Sequence, residues 1–134
     1  MNFDPVGVDK NGEMYMKYHV PLTVVEKIQL LQRWILVQSF AYYELNENIA
    51  SDFEYDDNAK QLSEFAKTNP DEFKRSKYYE YFHDYCQDDI HYTSGFDLLD
   101  RLKKSDPEMY RRIWMDAVWA LELKERYGLG GIVK

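Results

Sequence analysis

Residues 40–56 read FAYYELNENIASDFEYD, and the reading of this stretch decides the fold. Ahead of it, Thr23 and Glu26 have the spacing of a capping box, in which hydroxyl and carboxylate each satisfy an otherwise orphaned helix amide. Pro21 and Thr23 therefore open a helix. Val24, Ile28, Leu31 and Ile35 follow at helical spacing, Tyr42 extends the stripe, and the helix should run to about Glu44. LNENIA is a short polar connection. Ser51 and Glu54 then repeat the capping-box spacing, and Tyr55, Ala59, Leu62 and Ala66 mark the buried face of a second helix. The pattern predicts a helical hairpin over residues 23–67 whose mouth is the quoted stretch.

Outward from the hairpin, Asn69-Pro70 breaks the second helix. DEFKRS reads as a short helix, KYYEYFHDY as an aromatic stretch, CQDDIHYTSG (86–95) as a polar loop and GFDLLDRLKK as another short helix. Asp106 caps the last helix, with Pro107 in its first turn. Tyr110, Ile113, Trp114, Ala117, Val118 and Leu121 give that helix a broad apolar face, and Gly128, Gly130 and Gly131 stop it. Residues 1–20, with Pro5, Gly7, Gly12 and MYMKYHV, read as an irregular, extended arm holding one short strand. The expected fold is all-α: a hairpin plus a long C-terminal helix in one domain over 21–134, preceded by the arm.

Composition narrows the function. At 134 residues and 45% hydrophobic, the chain is long and apolar enough to bury a core. Its net charge is −7, unevenly spread. Residues 44–100 hold 15 Asp/Glu against five Lys/Arg, a net of −10, and the remainder carries +3. Nucleic-acid affinity depends on Lys/Arg contacts to phosphate, which the acidic middle lacks, so direct DNA or RNA binding is not expected. An acidic face is either simply solvated or meets a basic protein partner. One cysteine, Cys86, argues against a disulfide framework; the first 15 residues have no apolar signal core, and no apolar run is long enough for a membrane span. The expected location is cytoplasmic, away from membranes.

At the hairpin mouth, Asp52, Tyr55 and Asp56 stand at i, i+3 and i+4 and share one helix face, with Tyr42 a short loop away. Carboxylates accept hydrogen bonds from ribose hydroxyls, and tyrosine rings stack on a cationic heteroaromatic base. The same residues also suit an ordinary hairpin, with Asp52 as a first-turn charge and the tyrosines at the edge of the core.

The hairpin resembles the N-terminal Ia domain of NAD-dependent DNA ligases, whose pattern is Tyr-His, a loop, and an Asp-x-x-Tyr-Asp opening the next helix. The match covers residues of about 23–67. The resemblance implies a site for NAD or for nicotinamide mononucleotide (NMN), carried by Tyr42, Asp52, Tyr55 and Asp56. Tyr43 takes the place of the family's histidine and removes a titratable donor. Ser94-Gly95-Phe96-Asp97 resembles a segment of small, phage-encoded ligase-related proteins that keep the hairpin. In ligases a Lys-x-Asp-Gly lysine carries the adenylate, and this sequence contains no Asp-Gly pair. What the resemblance implies is thus a non-catalytic NAD/NMN-binding or ligase-associated module, with an adenylation domain as possible partner and no DNA ligation by this chain alone. The alternative is an acidic interaction protein that inhibits a basic, nucleic-acid-handling host or immune factor.

Two further groups of residues invite a reading. His83, Cys86 and His91, with Asp84, Asp88 and Asp89, have a superficial look of metal ligands but lack the paired spacings of a zinc site. Tyr110, Trp114 and Trp119, with Met109 and Met115, fit either a buried helix face or a seat for a partner.

Overall fold

The first helix begins where its cap requires. In the computed structural model, which describes residues 6–8, 14–16, 22–85 and 94–127, the Thr23 hydroxyl accepts from the Glu26 amide at 3.2 Å and the Thr23 amide donates to Glu26 Oε1 at 2.8 Å. Helix α1 then runs over Val24–Glu44. Its burial is not the single stripe that the spacing predicts. Ile28 and Ile35 are buried, but Leu31 is half-buried and Tyr42 exposed, while every residue from Ile35 to Ala41 is buried. A helix segment enclosed on all sides, as residues 35–41 are, belongs to a central element. Accordingly α1 packs against α2 (Asp52–Thr68), α3 (Pro70–Lys74), α5 (Gly95–Ser105) and α6 (Pro107–Tyr127).

The connection after α1 reverses tightly. Asn46 takes a left-handed conformation (φ 55°), which asparagine tolerates, and the Glu47 amide returns to the Ala41 carbonyl at 2.9 Å. Ile49, buried, pins the loop. The Ser51 cap forms only by half: its hydroxyl accepts from the Glu54 amide at 3.1 Å, but the Glu54 carboxylate accepts from that hydroxyl instead of the Ser51 amide. Along α2, Ala59 and Leu62 are buried, with Tyr55 and Ala66 half-buried.

The aromatic stretch contains a short helix, α4 (Tyr79–Phe82), which seats Tyr81 and Phe82 in the core. Of the expected polar loop, residues 86–93 lie outside the described residues, and Gly95 belongs to α5. That helix has a full capping box, Ser94 with Asp97, which the sequence reading passed over. In α6 the Asp106 carboxylate caps by accepting from the Met109 amide at 3.0 Å. Met109, Ile113 and Ala117 face the core, whereas Trp114 and Val118, read as part of the apolar face, are exposed. Gly128, Gly130 and Gly131 lie outside the described residues.

The arm holds two strands where one was expected: β1 (Val6–Val8) pairs antiparallel with β2 (Met14–Met16), with Gly7 opposite Tyr15. From α1 onward the described chain is helical, so the all-α class holds with this small ribbon added. No helix among the described residues is long and apolar enough to cross a membrane.

Polar ties cross the bundle away from the hairpin mouth. Arg33 donates through Nε to Asp116 of α6 at 3.1 Å and through a terminal nitrogen to the Tyr78 hydroxyl at 2.9 Å. Arg101 grips Asp84 with both terminal nitrogens, at 2.7 and 2.9 Å, and donates to the Tyr81 carbonyl at 2.9 Å.

Candidate functional site

The hairpin places the end of α1 beside the start of α2. On α1, Gln38, Tyr42 and Ser39, Tyr43 stand at i and i+4, so both pairs project toward the mouth. On α2, Asp52 and Tyr55 stand at i and i+3 in the first turn. Together with Asn48, Ile49, Ala50 and Gly95 these side chains line one cavity of about 130 Å³. Sites that enclose drug-sized molecules run to about 300–1,000 Å³, so this one accommodates a single ring and leaves the rest of a larger ligand in solvent.

Tyr42 and Tyr43 stand at its rim, 54% and 45% exposed, with ring centroids 4.9 Å apart at 88°. Tyr43 in turn meets the ring of Phe96 edge-on at 6.0 Å. Ser39 Oγ and the Tyr55 hydroxyl share a hydrogen bond at 3.1 Å, which orients the Tyr55 ring across the mouth. Asp52 is exposed, its carboxylate at the start of α2 where the helix dipole favours a negative charge.

Of the residues singled out from sequence, Tyr42, Tyr43, Asp52 and Tyr55 line the cavity. Asp56 does not: it is exposed and one turn further along α2, while Tyr55 takes the inward direction. For the second group, Asp84 is held by Arg101, and the His83 ring lies against Tyr79 with centroids 6.4 Å apart. Cys86, Asp88, Asp89 and His91 lie outside the described residues, and no group of three or more potential metal ligands occurs among the described ones.

Two contributors escaped the sequence reading. Gln38 is 5% exposed, forms part of the cavity wall, and neither its Nε2 nor its Oε1 has a hydrogen-bond partner among the described residues. An unmet buried polar group costs about 1–3 kcal/mol, so the Gln38 amide, buried behind the cavity wall, is an energetic liability within the described fold. Its signal was a polar pair, Gln38-Ser39, within the apolar run ILVQSFA. Gly95 starts α5 against the hairpin, where a Cβ would lie 2.3 Å from Ser39 Oγ and 3.0 Å from the Tyr55 hydroxyl. Only glycine lets α5 close that side of the cavity. The Ser-Gly-Phe-Asp segment noticed in the sequence thus belongs to the site, through Gly95 in the wall and Phe96 against Tyr43.

Against this geometry, no protein-family model, no curated protein and no solved structure matches the chain.

Proposed function

We propose that this chain is a non-catalytic nicotinamide-nucleotide-binding module, related in its hairpin to the ligase Ia domain and receiving the NMN half of NAD. The observation that carries the reading is the cavity ringed by Tyr42, Tyr43, Asp52 and Tyr55, with the Gln38 amide, unmet among the described residues, buried behind its wall, where a turn of the side chain would bring it to a ligand. A carboxamide offers one donor pair and one acceptor, and so does the glutamine amide, so the two satisfy each other in reciprocal hydrogen bonds. The pyridinium ring carries a positive charge that tyrosine faces and the Asp52 carboxylate favour. Carboxylate and phenol groups at the rim accept from ribose hydroxyls. The small volume supports one ring as occupant, with the phosphate end left to solvent or to a partner such as an adenylation domain.

The chain's own residues then do binding and orientation only. The sequence supplies no Lys-x-Asp-Gly nucleophile for adenylate transfer. The test is an NMR titration of labelled protein with NMN and with NAD to millimolar concentration, beside an Asp52→Ala control. Saturable shifts centred on residues 38–56 and on Gly95, weakened in the control, are expected. Absence of saturable shifts would refute the reading, leave the hairpin as scaffold, and turn attention to a basic protein partner for the acidic segment 44–100.

A further inference from the structure

The formal charges around the hairpin mouth are of one sign. Residues 34–59, which supply the mouth from both helices and the loop between them, contain six Asp/Glu and no Lys, Arg or His. Residues 94–100, at the start of α5, add Asp97 and Asp100 and again no base. Among the described residues that line the cavity, Asp52 carries the only formal charge. A cation does touch the loop: Lys124 of α6 donates to the Asn48 carbonyl. It does so from a separate depression that it shares with Glu47, Glu122 and Glu125, and it does not line the cavity.

A site of this charge selects in two directions. Tyrosine faces carry the negative part of the ring quadrupole and attract a cation. Tyr42 and Tyr43, with ring planes at 88°, form an aromatic corner at the rim, and both rings are about half exposed. A flat ring that bears a positive charge gains from this corner and from the Asp52 carboxylate. The same ring in its reduced, dihydropyridine form is neutral and gains from neither. A phosphate monoester, with roughly two negative charges at pH 7, meets the opposite situation. It finds no cation in the cavity lining and enters the field of a chain whose net charge is −7.

We propose that the cavity selects its ligand by charge, taking a cationic pyridinium riboside: the oxidised ring in preference to the reduced one, and the nucleoside at least as well as the nucleotide. The inference rests on the nicotinamide reading of the same cavity and narrows it. The recognised charge sits on the ring, so occupancy follows the oxidised form of the ligand and falls when the ring is reduced elsewhere. Oxidised and reduced forms are two competing ligands here, and no electron transfer takes place at the site. A phosphate or pyrophosphate arm finds no cationic partner among the lining residues and adds no affinity from this chain.

NMR titration of the labelled full chain with nicotinamide riboside, its reduced form and NMN tests the proposal. Saturable shifts at Tyr42, Tyr43, Asp52 and Gly95 are expected with the riboside. The reduced riboside should bind at least about tenfold more weakly, and NMN no more tightly than the riboside. Raising the salt from about 20 mM to about 500 mM should weaken the riboside, as screening of a cation at a carboxylate requires. Asp52→Asn keeps the size of an exposed side chain and removes its charge. It should narrow the gap between oxidised and reduced ribosides at least about threefold. Absence of saturable shifts with every one of these ligands would overturn both this inference and the nicotinamide reading. If ligands bind, three results would overturn the charge selection alone and leave the nicotinamide reading standing. These are equal affinity for the two ribosides, NMN binding more tightly than the riboside, and a gap unchanged in Asp52→Asn.

Discussion

Two glutamines of α1, Gln32 and Gln38, are both buried, and the fold treats them differently. Gln32 is tied through one atom: its Nε2 donates to Ser76 Oγ at 2.9 Å, and that hydroxyl donates onward to the Phe73 carbonyl at 2.6 Å, while its Oε1 is unmet among the described residues. Gln38 has no partner at either amide atom among the described residues and stands beside a cavity. The Gln32 end of α1 is also where Arg33 reaches Asp116 and Tyr78. One end of the helix ties its glutamine into the bundle through one amide atom; the other leaves both amide atoms unmet among the described residues. An apolar residue at position 38 would serve a pure scaffold better, so the difference between the two ends is what the proposed binding role has to account for.

The largest expected effect tests whether the open end is held open on purpose. Gly95→Ala sets a methyl group into Ser39 and Tyr55, and should lower stability by about 2–3 kcal/mol in urea unfolding while reducing ligand binding. A change under about 0.5 kcal/mol would mean that α5 does not press on the hairpin.

The closed end should fail first in alkali. Burial, with a hydrogen bond to Glu80, pushes the Tyr81 hydroxyl up to about 12 from 10.0. The folded state therefore keeps a proton that the unfolded chain gives up near pH 10. Stability from this group is intact below pH 10 and is lost as pH rises toward 12, up to about 2 kcal/mol, measured as falling unfolding midpoints. Tyr81→Phe should flatten that decline.

The glutamines themselves should differ in sign. Gln32→Leu breaks the link to Ser76 and should cost about 1 kcal/mol. Gln38→Leu removes two unmet polar atoms and should leave stability unchanged or raise it by up to about 1 kcal/mol. Equal losses at the two positions would erase the contrast between the ends of α1.

Much of the fold was legible because its signals are local. Thr23 with Glu26, Asn69-Pro70 and Asp106-Pro107 mark helix ends through backbone chemistry that needs no neighbour. What was not legible depends on which helix meets which. The periodicity of α1 gave one buried stripe including Tyr42, whereas packing by four other helices encloses residues 35–41 and leaves Tyr42 at a rim. The apolar content of α6 was visible, but not that only its Met109–Ile113–Ala117 side would be covered. At the mouth, Tyr42, Tyr43, Asp52 and Tyr55 were legible through helical spacing across a short loop. Spacing could not separate Tyr55 from its neighbour Asp56, which stays outside the cavity lining. Gln38 and Gly95 owe their roles to contacts across the bundle, which local pattern does not carry.

The central claim is that the Gln38 amide reads a carboxamide. Titration calorimetry of NMN against its acid counterpart, nicotinic acid mononucleotide, tests this directly, because a carboxylate accepts hydrogen bonds but cannot donate to Gln38 Oε1. The account predicts that the wild-type protein binds NMN at least about tenfold more tightly than the acid, and that Gln38→Leu, still folded, loses the preference. Equal affinity for the two ligands, or a preference that survives Gln38→Leu, would contradict it.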